Sequence, residues 1–211
     1  MVATKKSKPR GRPRSFDVER AIDRAMKLFH QRGYDAVGVA ELGTELGINP
    51  PSFYAAFGSK AGLFERVLER YSTGDANIFA AARAQGGTVA EVIERTLLDA
   101  ARRYVECDGI AGCLVLDGAR HSADPEARAL EASFKEASRA SIRDFIATEF
   151  PEHAEELTAL VTIAMAGMSA AARDGADAAT LRAFAEATGR TFRREPLVRD
   201  DPQLGNDSRH L

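Results

Sequence analysis

Within the eleven residues from Pro50 to Lys60 the chain sets Pro50, Pro51, Ser52, Tyr54, Ala55 and a single ammonium. Hydroxyls and an ammionium-bearing chain end on a small, nearly uncharged surface are groups that hydrogen-bond phosphate oxygens and base edges, and small neighbours permit close approach. A second set lies upstream in Pro9-Arg10-Gly11-Arg12-Pro13 and Arg14. That segment is expected to be extended and flat, with glycine for close backbone approach and guanidinium groups to follow a narrow track. It resembles the core of an AT-hook and suits an A·T-rich minor groove, whose negative potential attracts inserted arginine. Both sets point to double-stranded DNA as the partner.

The elements that must position these groups can be read from periodicity. Ala21, Ile22, Ala25, Leu28 and Phe29 recur at helical spacing from Asp17 to about Arg32, with Gly33 as the stop. A short second helix is expected from about Val39 to Leu46, ending at Gly47, and a third from Pro50 to Phe57, where the leading proline forfeits only a donor without a partner. Only Gly47, Ile48 and Asn49 lie between them, which is the spacing of a helix-turn-helix. Leu42, Leu46, Ile48, Phe53 and Phe57 form its core side, so Pro51, Ser52, Tyr54 and Ala55 must face outward. Ser59 caps a fourth helix from Lys60 to about Tyr71.

Beyond Gly86-Gly87 the helices lengthen. Thr88-Val89-Ala90-Glu91 is a capping box opening a helix to about Glu106. A short apolar helix is expected around Cys113 to Arg120, and a long one from Asp124-Pro125 to about Glu149. Two more are expected at about Glu152 to Arg173 and Ala178 to Arg193. The fold class is therefore all-α. It comprises a basic arm (1–14), a helix-turn-helix domain built on three helices (15–70), a larger helical domain (71–195) and a polar tail (196–211), with about nine helices in all.

Charge separates the arm from the rest. The 211-residue chain has a net charge of −2, yet residues 1–14 hold six basic side chains and no acid, so the body carries −8. A basic end on an acidic body favours a localised polyanion contact over a whole-surface one. No secretory signal is expected at this polar N-terminus, and the uncharged stretch 157–172 is too short for a membrane span, so a cytoplasmic location without membrane contact is expected. An enzyme would need a site without a recognisable motif, because GxGxxG, P-loop, HExxH and GxSxG patterns are missing and His30, His121, His153 and His210 are scattered. An architectural minor-groove protein would not need so large an acidic helical domain. No cofactor and no metal are expected; Cys107, Cys113 and His121 leave a metal or thiol-redox sensor as the alternative, although their spacing is not that of zinc sites.

The run Gly33-Tyr34-Asp35-Ala36, Val39-Ala40-Glu41-Leu42, Leu46-Gly47-Ile48 and Pro51-Ser52-Phe53-Tyr54-Ala55-Ala56-Phe57-Gly58-Ser59-Lys60-Ala61-Gly62-Leu63-Phe64 resembles the DNA-binding domain of the TetR/AcrR family, over about residues 16–68. The resemblance implies that Pro50, Pro51, Ser52, Tyr54 and Ala55 face the major groove, with Tyr54 and Lys60 on phosphates. Where the family usually begins its second helix with Thr or Ser, this chain has Gly38-Val39, so backbone amides around Val39 would have to serve the phosphate there. The resemblance also implies a homodimer on a palindromic operator, release by a small-molecule effector, and repression as the default. Its last two helices would form the subunit interface, and Leu157, Leu160, Val161, Ala164, Met165 and Met168 are the expected interface residues, with a buried core helix as the other reading. Tyr104, Cys113, Leu116 and Phe134 are candidates for the effector pocket, each of which would serve equally as core.

Overall fold

Asp17 opens the first helix by accepting the Arg20 amide on its carboxylate at 3.2 Å. In the computed structural model, which describes residues 16–74, 77–106 and 109–193, that helix is α1 (Val18–Arg32). It is followed by α2 (Val39–Leu46), α3 (Pro50–Phe57) and α4 (Lys60–Thr73). The rest comprises α5 (Ile78–Ala84), α6 (Val89–Glu106), the single turn α7 (Leu114–Asp117), α8 (Pro125–Ile146), α9 (Ala154–Arg173) and α10 (Ala178–Arg193), with a 3-10 turn at Pro151–His153 leading into α9. The described residues contain no strand, and none of their helices is long and apolar enough to cross a membrane.

Local signals account for most boundaries. Asn49 accepts the Ser52 amide at 2.9 Å, Ser59 accepts that of Gly62 at 2.9 Å, and Asp124 accepts that of Glu126 at 2.9 Å. At α6 the capping box forms in both directions: the Thr88 amide donates to Glu91 Oε2 at 2.9 Å, and the Glu91 amide donates to Thr88 Oγ1 at 3.3 Å. Helix α5 is not foreseen by periodicity. Seven residues are too few to hold a helix by propensity alone, and α5 persists because Asn77 caps Ala80 and because Ile78, Phe79 and Ala82 bury against α6.

One apolar core runs through both halves of the chain. In the N-terminal part Phe29, Tyr34 and Phe64 pack with ring centroids 5.0 to 5.7 Å apart and lock α1 onto α4. In the C-terminal part α6 is the central strut, with Ile93, Leu97 and Tyr104 buried and α5, α9 and α10 packed around it. Helix α4 continues past the N-terminal bundle to pack on α7 and α8, and so belongs to both.

Candidate nucleic-acid interface and ligand cavity

Helices α2 and α3 meet at a turn of three residues. Gly47 occupies the left-handed region (φ 68°, ψ 33°), and the Ile48 amide donates to Gly43 O at 2.9 Å, closing the end of α2. A side chain at Gly43 would place its Cβ 2.9 Å from Ile48 O, so the tightness of the turn needs glycine there as well. Leu42, Phe53 and Phe57 fill the corner, while Phe16 meets the Phe57 ring edge-on at 6.0 Å. Pro50, Pro51, Ser52, Tyr54 and Ala55 are all exposed on one side of α3, with Tyr54 at 51%. Val39 is half-buried at the first turn of α2, where the exposed Gly38 precedes it with no side-chain cap. Arg10, Arg12 and Arg14 lie outside the described residues.

Lys60 has a role inside the fold that the sequence did not indicate. Its Nζ donates to the carbonyls of Tyr34 and Val37 at 3.0 Å each and sits 3.9 Å over the Tyr34 ring. Desolvation lowers its pKa, against the opposing pull of Asp35 and Asp124. The ammonium at the start of α4 therefore also closes the α1–α2 loop. Only the third of its protons is left for a phosphate, because the loop carbonyls lie within its reach and take the other two.

A cavity of about 640 Å³ lies in the C-terminal part, within the roughly 300–1,000 Å³ range of small-molecule sites. Its walls come from the end of α4, from α5, α6, α7, α8 and α9, and Tyr104, Cys113, Leu116 and Phe134 all line it. Tyr104 and Cys113 form its buried end, with the Tyr71 hydroxyl donating to Cys113 Sγ at 3.7 Å; exposed Ser138 and Ile163 frame its outer side. Burial pushes the Cys113 thiol up, only partly offset by the Tyr71 hydrogen bond, so this cysteine is held as a thiol. Cys107 lies outside the described residues, His121 is exposed, and no metal-binding cluster of His, Cys, Asp or Glu forms among the described residues.

Sequence reasoning missed the contacts that join this cavity to the helix-turn-helix. The Tyr34 amide donates to Gly118 O at 2.8 Å, and the Tyr34 hydroxyl donates to Asp124 at 2.8 Å. Asp35 accepts the Ser122 hydroxyl and, at 2.7 Å, the Ala123 amide; these two hydrogen bonds hold its carboxyl below the usual range. Gly118 closes α7 tightly, since a Cβ there would come within 2.6 Å of Leu114 O. The α1–α2 loop is thus fastened to the segment between α7 and α8, and both of those helices wall the cavity. A faint signal was present in the capping residue Asp124, but nothing local indicates that its second oxygen reaches Tyr34.

The expected interface residues divide. Val161 (0% exposed), Ala164 (3%) and Met168 (1%) are buried in the chain's own core, so the interface expectation for these three is corrected. Helix α9 packs on α6 and α8 and satisfies that apolar face internally. Leu157, Leu160 and Met165 are half-buried, and Met165 lines the cavity. Among the described residues of the C-terminal part, the large apolar side chains left outside are Ile163 on α9, 70% exposed, and Phe184 on α10, 47% exposed. Ile163 stands one turn before exposed Gly167, a stripe legible in the sequence but outweighed there by the more apolar opposite face.

This arrangement has close counterparts. Residues 21–67, from within α1 to within α4, match the family described as bacterial regulatory proteins, tetR family. The chain is 46% identical over 193 residues to the HTH-type transcriptional repressor BdcR of Escherichia coli (strain K12), covering 92% of this chain and 98% of that protein. It is 32% identical over 200 residues to the HTH-type transcriptional repressor ComR of the same organism, covering 88% and 93%. A cysteine mutant of the TetR family transcriptional regulator CifR, complexed with 26-base-pair double-strand operator DNA, superposes with a TM-score of 0.76 at 29% identity, covering 86% of this chain and all of that one. With likeness extending from the helix-turn-helix through the helices around the cavity, the chain belongs to the tetR family and is a DNA-binding transcriptional regulator, not an enzyme.

Proposed function

We propose that the chain is a repressor that binds a palindromic operator as a homodimer and lets go when a small molecule fills the cavity. The observation that carries this reading is the α2–α3 unit, whose outer face presents Pro51, Ser52, Tyr54 and Ala55 to solvent over a closed aromatic core. Such a face enters a major groove without steric or charge conflict. The arm 1–14 adds the electrostatic attraction that α3 lacks, through Arg10, Arg12 and Arg14 in the adjacent minor groove. Ile163 and Phe184 supply the subunit contact, because a homodimer is what places two copies of α3 on successive half-sites. Filling the cavity acts on DNA only if the occupant binds the released state more tightly than the bound state. The loop contacts at Tyr34 and Asp35 are the route by which α7 and α8 bias the position of α2 and α3.

Selection from random duplexes tests the reading. The purified protein should enrich an inverted repeat whose half-sites are about one helical turn apart. Enrichment of nothing above background overturns it.

A further inference from the structure

The cavity is chemically selective in a way that its size does not convey. Each charged side chain that lines it already has a partner. Lys135 donates to Glu131 at 2.8 Å, Arg120 stands 3.7 Å from Asp117, and Arg139 pairs with both Glu136 and Glu155. A charged ligand would have to share a side chain that already carries a counter-charge. Two of the small polar groups on the wall are also engaged: Thr162 Oγ1 donates to Thr158 O at 2.9 Å, and Asn77 donates to Ser72 O at 2.7 Å while accepting the Ala80 amide; Ser138 and Ser141 sit at the exposed rim.

Tyr104 differs in being both buried and unpaired. It is 1% exposed, and its hydroxyl is one of two buried side-chain oxygens without a hydrogen-bond partner among the described residues; the other, on Thr158, is not part of the cavity wall. The Cys113 thiol neighbours the Tyr104 hydroxyl but does not meet it in hydrogen-bonding geometry. A buried hydroxyl left unpaired is costly, and such groups are uncommon unless a ligand or water completes them. Burial holds the phenol firmly in its neutral form, so what it offers is an O–H donor.

We propose that the occupant of this cavity is an uncharged, mainly apolar small molecule bearing a carbonyl-type oxygen that accepts the hydroxyl hydrogen of Tyr104. Phe79, Leu116, Phe134, Ile142 and Met165 contact its apolar body, and the paired charges disfavour carboxylates and amines. This inference rests on the reading of the cavity as the effector site.

The test uses the full chain and three probes of one shape: acetylnaphthalene, ethylnaphthalene and the naphthoate anion. Acetylnaphthalene should bind most tightly and naphthoate most weakly, by fluorescence titration. Tyr104→Phe, which keeps the ring in place, should weaken the ketone roughly tenfold while leaving the hydrocarbon within about twofold. The carbonyl stretch of the bound ketone should lie lower in wild type than in the variant, a readout that a packing defect would not produce. Tighter binding of naphthoate, or a ketone affinity and carbonyl stretch unchanged by Tyr104→Phe, overturns the inference. Failure of the effector reading is separate: the ketone then binds as described yet leaves selected operator DNA bound at saturation.

Discussion

The Tyr34 hydroxyl, at the turn between α1 and α2, donates at 2.8 Å to Asp124, the residue that caps α8. One carboxylate therefore serves two elements, ordering the first turn of a cavity-wall helix and holding the loop that enters the helix-turn-helix. Tyr34→Phe removes only the second task, because the ring still packs on Phe29 and Phe64. Its expected cost is about 1 kcal/mol in urea unfolding, together with a smaller shift in operator affinity when the cavity is filled. Retention of the full shift would show that coupling takes another path.

Tyr54 stands 51% exposed on the outer side of α3, with its ring edge-on to Phe53. Tyr54→Phe keeps that contact and loses the neutral hydroxyl expected to reach a phosphate. Operator affinity should fall about five- to tenfold, with the salt dependence unchanged because no cation is lost. A mobility-shift titration at several salt concentrations reads both quantities.

Gly38 precedes α2 in extended backbone (φ −88°, ψ 155°), and a Cβ there would meet nothing within 4 Å. Gly38→Thr should therefore be accepted without strain, raise stability by a few tenths of a kcal/mol through capping and tighten operator binding through a new hydroxyl. Weaker binding by the variant would argue that the phosphate is already held by the backbone there and is displaced by the added side chain.

On α9 the two faces should respond differently. Ile163→Asp on the outer face of α9, combined with Phe184→Asp on α10, places charge on that side and should yield monomers in sedimentation equilibrium, with helicity preserved. Met168→Ala, on the inner face, should instead cost roughly 2–5 kcal/mol of stability by leaving a cavity, and the chain should still dimerise. Dimers that survive the double variant would locate the interface elsewhere.

His30 is buried at 7% exposure, with Nε2 3.1 Å from Gly112 O, so Nε2 carries the proton and donates. Desolvation lowers its pKa from the ordinary 6.5, outweighing the Gly112 hydrogen bond that raises it, while Arg173 lowers and Asp117 raises it further. Between 6.5 and the lowered value the unfolded chain binds a proton that the folded chain refuses, so stability must fall as pH drops through that window. Thermal melts from about pH 7.5 to about pH 5.5 should show this loss, and His30→Gln, which keeps a donor near Gly112, should flatten the slope.

What the sequence determined by itself was local. The bounds of α2, α3 and α10, the capping box at Thr88 and the outward set Pro51, Ser52, Tyr54 and Ala55 follow from helix periodicity and from caps whose partners lie three residues away. These interactions need no knowledge of the rest of the chain. The tertiary structure alone decided matters that depend on distant partners. Lys60 is committed to the carbonyls of residues 23 and 26 positions earlier in the chain. The face of α9 that holds Met168 turned inward and left Ile163 out, because α6 was there to cover the more apolar side. Tyr104, Cys113, Leu116 and Phe134 became one cavity wall only when α6, α7 and α8 came together. Periodicity says which side chains avoid water, but only packing says against what, and at Tyr104 packing left the hydroxyl unpaired.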